Sequence, residues 1–308
     1  MGFWRLRTRT AATPDGWYQD LPGLEVLANR LAEGILAGES ASIFKGSGME
    51  ADGVRPYVAG DDVRAIDWRV TARTGRHHVR DFVEERGWEA HLVLDRSASL
   101  HGCASGGPGR AALEVTAALA MAATRAGHRV GLLQLTDRAE GHVPPGSGRH
   151  QLKWILASLA TLRPTGRGTA LGAGLQGLTA TLGARALVMV VSDFNVPTVA
   201  RPETARALAG VARRHELFPV HVRTPGPEDL PPVGPVSLAD PESGRRVLVD
   251  TSDPAVRASL REAAQERELF WDGVWNGLAV RPVRVDPVEP LGPQLVRGLA
   301  RRRGGRAA

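Results

Sequence analysis

His91-Leu92-Val93-Leu94-Asp95-Arg96-Ser97-Ala98-Ser99 is the stretch on which the fold turns. A short apolar run bounded by polar turn residues reads as a buried strand. Asp95, Ser97 and Ser99 follow at every second position, where that strand gives way to a loop. One carboxylate and two hydroxyls are hard oxygen donors. They suit Mg²⁺ or Mn²⁺ and fit softer metals poorly.

The same rhythm of strand and helix continues outward. Val130-Gly131-Leu132-Leu133-Gln134-Leu135, Ala186-Leu187-Val188-Met189-Val190-Val191 and Leu217-Phe218-Pro219-Val220-His221-Val222 read as strands. The second is apolar throughout, as in a sheet covered on both faces. Helical spacing fills residues 110–125, 150–162, 169–182 and 202–215. This alternation predicts an α/β fold, doubly wound around a mostly parallel sheet. Gly172-Ala173-Gly174-Leu175-Gln176-Gly177 matches the dinucleotide fingerprint in letters, but a loop precedes it and a strand follows. It reads as a small-residue helix face packed closely on the sheet.

The flanks divide as follows. Residues 1–20 are a flexible N-terminus. Residues 21–87 hold a helix over 21–36, with Leu24, Leu27, Leu31 and Ile35 at helical spacing, and a polar block with short strand-like pieces. Residues 88–290 form the α/β domain, with a β-hairpin insertion near 234–250 around Pro241-Glu242-Ser243-Gly244. A helix over 254–270 and a strand near 278–280 return to the sheet. Residues 291–308 are a C-terminal helix and basic tail.

In a parallel sheet, ligands collect at the carboxyl ends of the strands. Asp95 and Asp193 each follow a buried strand, and Thr169 lies in a loop entering a helix. Two Asp, two Ser and one Thr match the few carboxylates Mg²⁺ takes. The hydroxyls leave the cation under-neutralised, open to a carboxylate from another molecule.

Composition narrows the field. Net charge is +6, from 39 Lys and Arg against 33 Asp and Glu, but the charges are scattered and aromatics are only 5%. No basic stripe marks a nucleic-acid surface. Cys103 is the only cysteine, which excludes an intrachain disulfide and fits a reducing compartment. No apolar run approaches the ~20 residues that span a bilayer. The basic start Met1-Gly2-Phe3-Trp4-Arg5-Leu6-Arg7 lacks a signal core; it reads as a frayed end able to brush a membrane surface. His77-His78 would point to opposite faces of a strand and chelate poorly.

Two sets of residues carry a family resemblance. Asp95-x-Ser97-x-Ser99, Thr169 and Asp193 resemble the metal-ion-dependent adhesion site of von Willebrand factor type A domains, a Rossmann-like fold. Tyr57-Val58-Ala59-Gly60-Asp61-Asp62-Val63-Arg64-Ala65-Ile66-Asp67-Trp68-Arg69, then Ala72-Arg73, then Phe82-Val83-Glu84-Glu85-Arg86, resembles the bacterial "domain of unknown function 58" family. Ala239-Asp240-Pro241-Glu242-Ser243-Gly244 belongs to the same likeness.

The resemblance implies a non-enzymatic, metal-dependent adaptor in the cytoplasm. It would work with a MoxR-type AAA+ ATPase in assembling or maturing other complexes. Gly60, Asp61, Asp62, Arg64, Asp67, Trp68 and Arg73 then form a structural or partner-binding motif, with Gly60-Asp61-Asp62 as a turn and Trp68 as its anchor. The alternative is a Mg²⁺-dependent hydrolase of phosphoester type, using the same metal and the Asp/Arg block.

Overall fold

The computed structural model describes residues 21–37, 54–58, 66, 68–80, 88–101, 107–242 and 244–304. Its centre is a six-stranded sheet of β3 (Glu89–Asp95), β4 (Arg129–Leu135), β5 (Ala139–Gly146), β6 (Leu187–Ser192), β7 (Glu216–Val222) and β10 (Val283–Val285), in the order β10-β7-β6-β3-β4-β5. All pairs are parallel except β4 with the edge strand β5. The α/β fold with a mostly parallel sheet is as the alternation predicts.

Successive side chains of a strand face opposite ways, so each central strand feeds two cores. Leu92 and Leu94, with Met189, Val191, Phe218 and Val220, face the first. It is closed by α1 (Leu21–Leu36), α4 (Pro108–Arg125), α5 (Gly148–Thr161) and α9 (Leu291–Gly304). Val93, Val188 and Val190 face the second, closed by α6 (Leu171–Thr181), α7 (Arg201–Arg214) and α8 (Pro254–Gly277).

Leu24, Ala28, Leu31, Ala32 and Ile35 make one buried stripe on α1. Each large aliphatic there contributes about 1.5–3 kcal/mol by leaving water. The helix was expected to group with the block that follows it, yet its stripe joins the core beneath β3.

The glycines of α6 serve close packing, as expected. A Cβ at Gly174 would sit 2.3 Å from Leu135 Cδ1, and one at Gly172 would sit 3.2 Å from the Thr204 backbone.

Three elements depart from the sequence reading. The sequence reading places no element over 139–146, where the structure has β5 with Pro144 and Pro145 inside it. The edge position tolerates proline, because an edge strand leaves some N–H groups unpaired. The C-terminal strand is β10 at Val283–Val285, not residues 278–280, which end α8 and turn through Ala279 at φ 51°. That helix also runs on to Gly277, burying Trp271 and Trp275.

Smaller elements complete the description. β1 (Val54–Pro56) pairs antiparallel with β2 (His78–Arg80), flanking α2 (Trp68–Thr74). A four-residue helix α3 (Ala98–His101) begins within the pentad Asp95-Arg96-Ser97-Ala98-Ser99. β8 (Pro235–Ala239) and β9 (Arg246–Asp250) form the expected hairpin. No described helix is long and apolar enough to cross a membrane.

Candidate metal centre

β3 and β6 are neighbours in the middle of the sheet, so their carboxyl ends lie side by side. Asp95 closes β3, and Ser192 with Asp193 closes β6. The Ser192 hydroxyl donates to Asp95 Oδ2 at 2.6 Å. Ser97 N–H donates to Asp95 Oδ1 at 2.8 Å, folding the pentad back on its own carboxylate. Ser97 Oγ and Ser99 Oγ are 3.0 Å apart. The Ser99 side chain acts on the Asp193 carboxyl, lowering its pKa against the effect of burial. Thr169 Oγ1 donates to Asp95 Oδ2 at 3.5 Å. The five residues named from the sequence therefore meet at one edge.

The electrostatics are unusual. Asp95 is 2% exposed and Asp193 5%. Neither forms an ion pair among the described residues. Burial pushes the Asp95 carboxyl up. Burial, and then the charge of Asp95, pushes Asp193 up to about 7. Two buried carboxylates beside each other favour sharing a proton or binding a cation. The donor set fits Mg²⁺ or Mn²⁺: few carboxylates, all other donors oxygen. Among the described residues no three His, Cys, Asp or Glu side chains gather as a metal-holding group, which argues against a zinc-like site. A cavity of ≈ 260 Å³ opens beside Asp193, lined in part by His221, Arg223, Thr224, Arg261 and Trp271.

The family described as "Protein of unknown function DUF58" matches residues 53–269. The chain belongs to DUF58. It is 35% identical over 245 residues to the uncharacterized protein Rv1480 of Mycobacterium tuberculosis, covering 78% of this chain and 75% of that one. The uncharacterized protein Mb1516 of Mycobacterium bovis matches to the same extent, 35% over 245 residues, with 78% and 75% covered. Among solved structures, the conserved hypothetical protein BatB from Bacteroides thetaiotaomicron is similar at 15% identity and TM-score 0.41, over 71% of this chain and 100% of that one. An aerotolerance-related membrane protein from Bacteroides fragilis is similar at 16% and 0.42, over 70% and 98%. At those scores neither bears on what a DUF58 chain binds.

The DUF58 motif block is only partly described. Gly60, Asp61, Asp62, Arg64 and Asp67 lie outside the described residues, as does Cys103. Trp68 and Arg73 sit on α2. Trp68 is 65% exposed, so it is not a buried anchor; its ring meets His77 edge-on, centroids 6.2 Å apart. His78 Nδ1 contacts the Arg76 carbonyl at 2.7 Å, and the His77 ring also meets Tyr57 edge-on, centroids 6.5 Å apart.

Sequence reasoning missed the residues that shape this edge in the DUF58 chain. Glu140, at the start of β5, accepts from Thr165 N–H at 3.0 Å, Gly166 N–H at 2.6 Å and Thr136 Oγ1 at 2.8 Å. It thereby anchors the loop that carries Thr169. Gly166 leaves room there that a side chain would fill: a Cβ would fall 2.8 Å from Cβ of the fully buried Thr136. Beneath the loop lies buried Arg96, bonded to Gln134 Oε1 at 3.2 Å and the Leu162 carbonyl at 3.0 Å. Burial lowers its pKa to about 10, while the charge of Glu140 opposes that. Thr224, just past β7, donates to Asp193 Oδ2 at 3.3 Å. An alternation of β-branched and charged letters gives no signal for such partners, which meet only once the strands are ordered.

Proposed function

We propose that Asp95, Ser97, Ser99, Thr169 and Asp193 hold a divalent cation, Mg²⁺ or Mn²⁺, and that this DUF58 protein is a metal-dependent protein-binding adaptor. The observation that carries the reading is the meeting of two buried, unneutralised carboxylates with three hydroxyls at one sheet edge. When bound, the cation supplies a Lewis-acid point that accepts a carboxylate from outside. The chain's own residues supply orientation. Ser192 and Ser97 N–H fix Asp95, Asn195 N–H fixes Asp193 Oδ1 at 3.0 Å, and Glu140 fixes the Thr169 loop.

The partner we propose is a MoxR-type AAA+ ATPase, acting with this chain on a client complex during assembly or maturation. The support is the likeness of residues 57–86 and 95–99 to proteins of that role. The von Willebrand type A assignment belongs to the same proposal. It is supported by the position of the five donors at the carboxyl edge of a mostly parallel sheet.

The test is direct. Mg²⁺ binding by calorimetry should be present in the wild type and lost in Asp95→Asn. Capture of the MoxR-type ATPase should fall with chelator and with the same variant. Mg²⁺ binding that survives Asp95→Asn refutes the metal reading. Capture indifferent to both refutes a metal-bridged contact.

A further inference from the structure

One carboxyl near this edge has an oxygen with no partner. Glu242 Oε1 is shielded from solvent and accepts no hydrogen bond. Buried carboxylate oxygens are nearly always paired, and an orphan calls for an ion or water at that place. Glu242 lies in the turn joining β8 to β9. The turn is closed by Gly244 N–H donating to the Asp240 carbonyl at 2.8 Å and Asp240 N–H donating to the Arg245 carbonyl at 2.8 Å. Glu242 N–H donates to Asp240 Oδ1 at 3.0 Å, which sets the direction of the residue.

That direction is toward the Thr169 loop. A Cβ on Gly168 would stand 4.0 Å from Glu242 Oε2, and one on Gly244 would stand 3.8 Å from Arg167 Nη1. The same loop reaches the pentad, since Ala98 N–H donates to the Arg167 carbonyl at 2.7 Å. The hairpin tip, the Thr169 loop and the pentad are thus one neighbourhood. Burial and the charges of Asp95, Asp193, Asp240 and Asp137 all hold the Glu242 carboxyl up, to about 7. The side chains that raise it are acidic, while the Arg167 guanidinium lies on the Gly244 side of the turn. A turn that presents a carboxylate to such surroundings is disfavoured unless a cation joins them.

We propose that Glu242 is the internal carboxylate for the cation of this site. With the cation on Asp95, Ser97, Ser99, Thr169 and Asp193, the β8–β9 turn closes over it and Glu242 takes the outward position. A partner's carboxylate then binds by displacing the turn, so the hairpin is a built-in competitor. This rests on the metal reading above.

The test uses the full chain with Mg²⁺ alone as the probe. Two readouts are followed in the wild type, Glu242→Gln and Asp95→Asn: Mg²⁺ affinity by calorimetry, and amide hydrogen exchange of residues 235–250. Mg²⁺ should slow exchange of the hairpin in the wild type. Glu242→Gln should keep binding but weaken it about tenfold, the scale of outer groups at metal sites, and lose the slowing. The substitution is isosteric and lies in a surface turn, so the fold is retained. Asp95→Asn should abolish binding. Lost binding in Asp95→Asn with unchanged affinity and unchanged hairpin slowing in Glu242→Gln overturns this inference alone. Undiminished binding in Asp95→Asn overturns the metal reading, and this inference with it.

Discussion

The hydroxyl of Ser192 donates to Asp95 Oδ2 at 2.6 Å and accepts from Phe194 N–H at 2.9 Å. One side chain thus ties the end of β3 to the turn after β6. Ser192→Ala removes both bonds and leaves a buried carboxylate oxygen and a buried amide short of partners. The expected cost is about 1–3 kcal/mol. The lost donor also raises the Asp95 pKa further. Urea unfolding measures the first effect, and a variant as stable as wild type would refute it.

Phe194 sits at φ 51°, a left-handed conformation that costs a non-glycine residue about 1–3 kcal/mol. Its surroundings hold it there. Trp271 Nε1 donates to the Phe194 carbonyl at 2.9 Å, and the ring packs on Trp271 and Trp275 at 5.4 and 5.1 Å. Trp271→Phe keeps an aromatic ring but orphans that carbonyl. Stability should fall by about 1–3 kcal/mol. Exchange of the 193–195 amides should quicken more than that of β4. Uniform quickening would mean that α8 does not specifically hold this turn.

Glu140 accepts from four donors, Thr136 Oγ1, Thr165 N–H, Thr165 Oγ1 and Gly166 N–H, and its charge acts on the buried guanidinium of Arg96. Glu140→Gln keeps the size but replaces an acceptor-only carboxylate with an amide that must turn one N–H toward a donor. The charge opposing Arg96 burial is also lost. We expect a loss of about 1–3 kcal/mol and Mg²⁺ affinity weaker by about tenfold or more through the Thr169 loop. Affinity at the wild-type level, measured by titration calorimetry, would show that Thr169 needs no such anchor.

The strand-then-carboxylate pattern was legible because buried parallel strands are apolar throughout and end abruptly in polar letters. Asp95, Ser97 and Ser99 were fixed by their own local chain, and Asp193 by its strand. Thr169 came within two residues of the start of α6. What stayed hidden depends on strand order. Glu140 reaches Thr165 and Gly166 only because β5 folds back beside β4 as an edge strand that its prolines disguise. Thr224 reaches Asp193 because β7 lies beside β6. Glu242 was seen as part of a hairpin, but its approach to Gly168 follows from where that hairpin docks. Trp68 was read as an anchor because large aromatics are usually buried, and here it remains on the surface.

The pH dependence of the metal effect has a definite sign. The Asp193 carboxyl is pushed up to about 7 from an ordinary value of 3.8. A carboxyl raised by folding stabilises the native state fully below its unfolded value, and that contribution is lost as pH rises through about 7. With chelator present, the melting temperature should therefore decline from about pH 4 to about pH 7 on this account and level off above that. Burial of His221, which lowers its pKa to about 4, acts the other way below its ordinary value of 6.5. His221 enters melts with and without Mg²⁺ alike, so the difference between them isolates the carboxylates. Mg²⁺ competes with protons for Asp95 and Asp193, and relieves a repulsion that exists only when both are ionised. The rise in melting temperature on adding Mg²⁺ should accordingly grow with pH across that interval and vanish in Asp193→Asn. A rise that is flat with pH, or largest in acid, would separate Mg²⁺ stabilisation from this carboxylate pair.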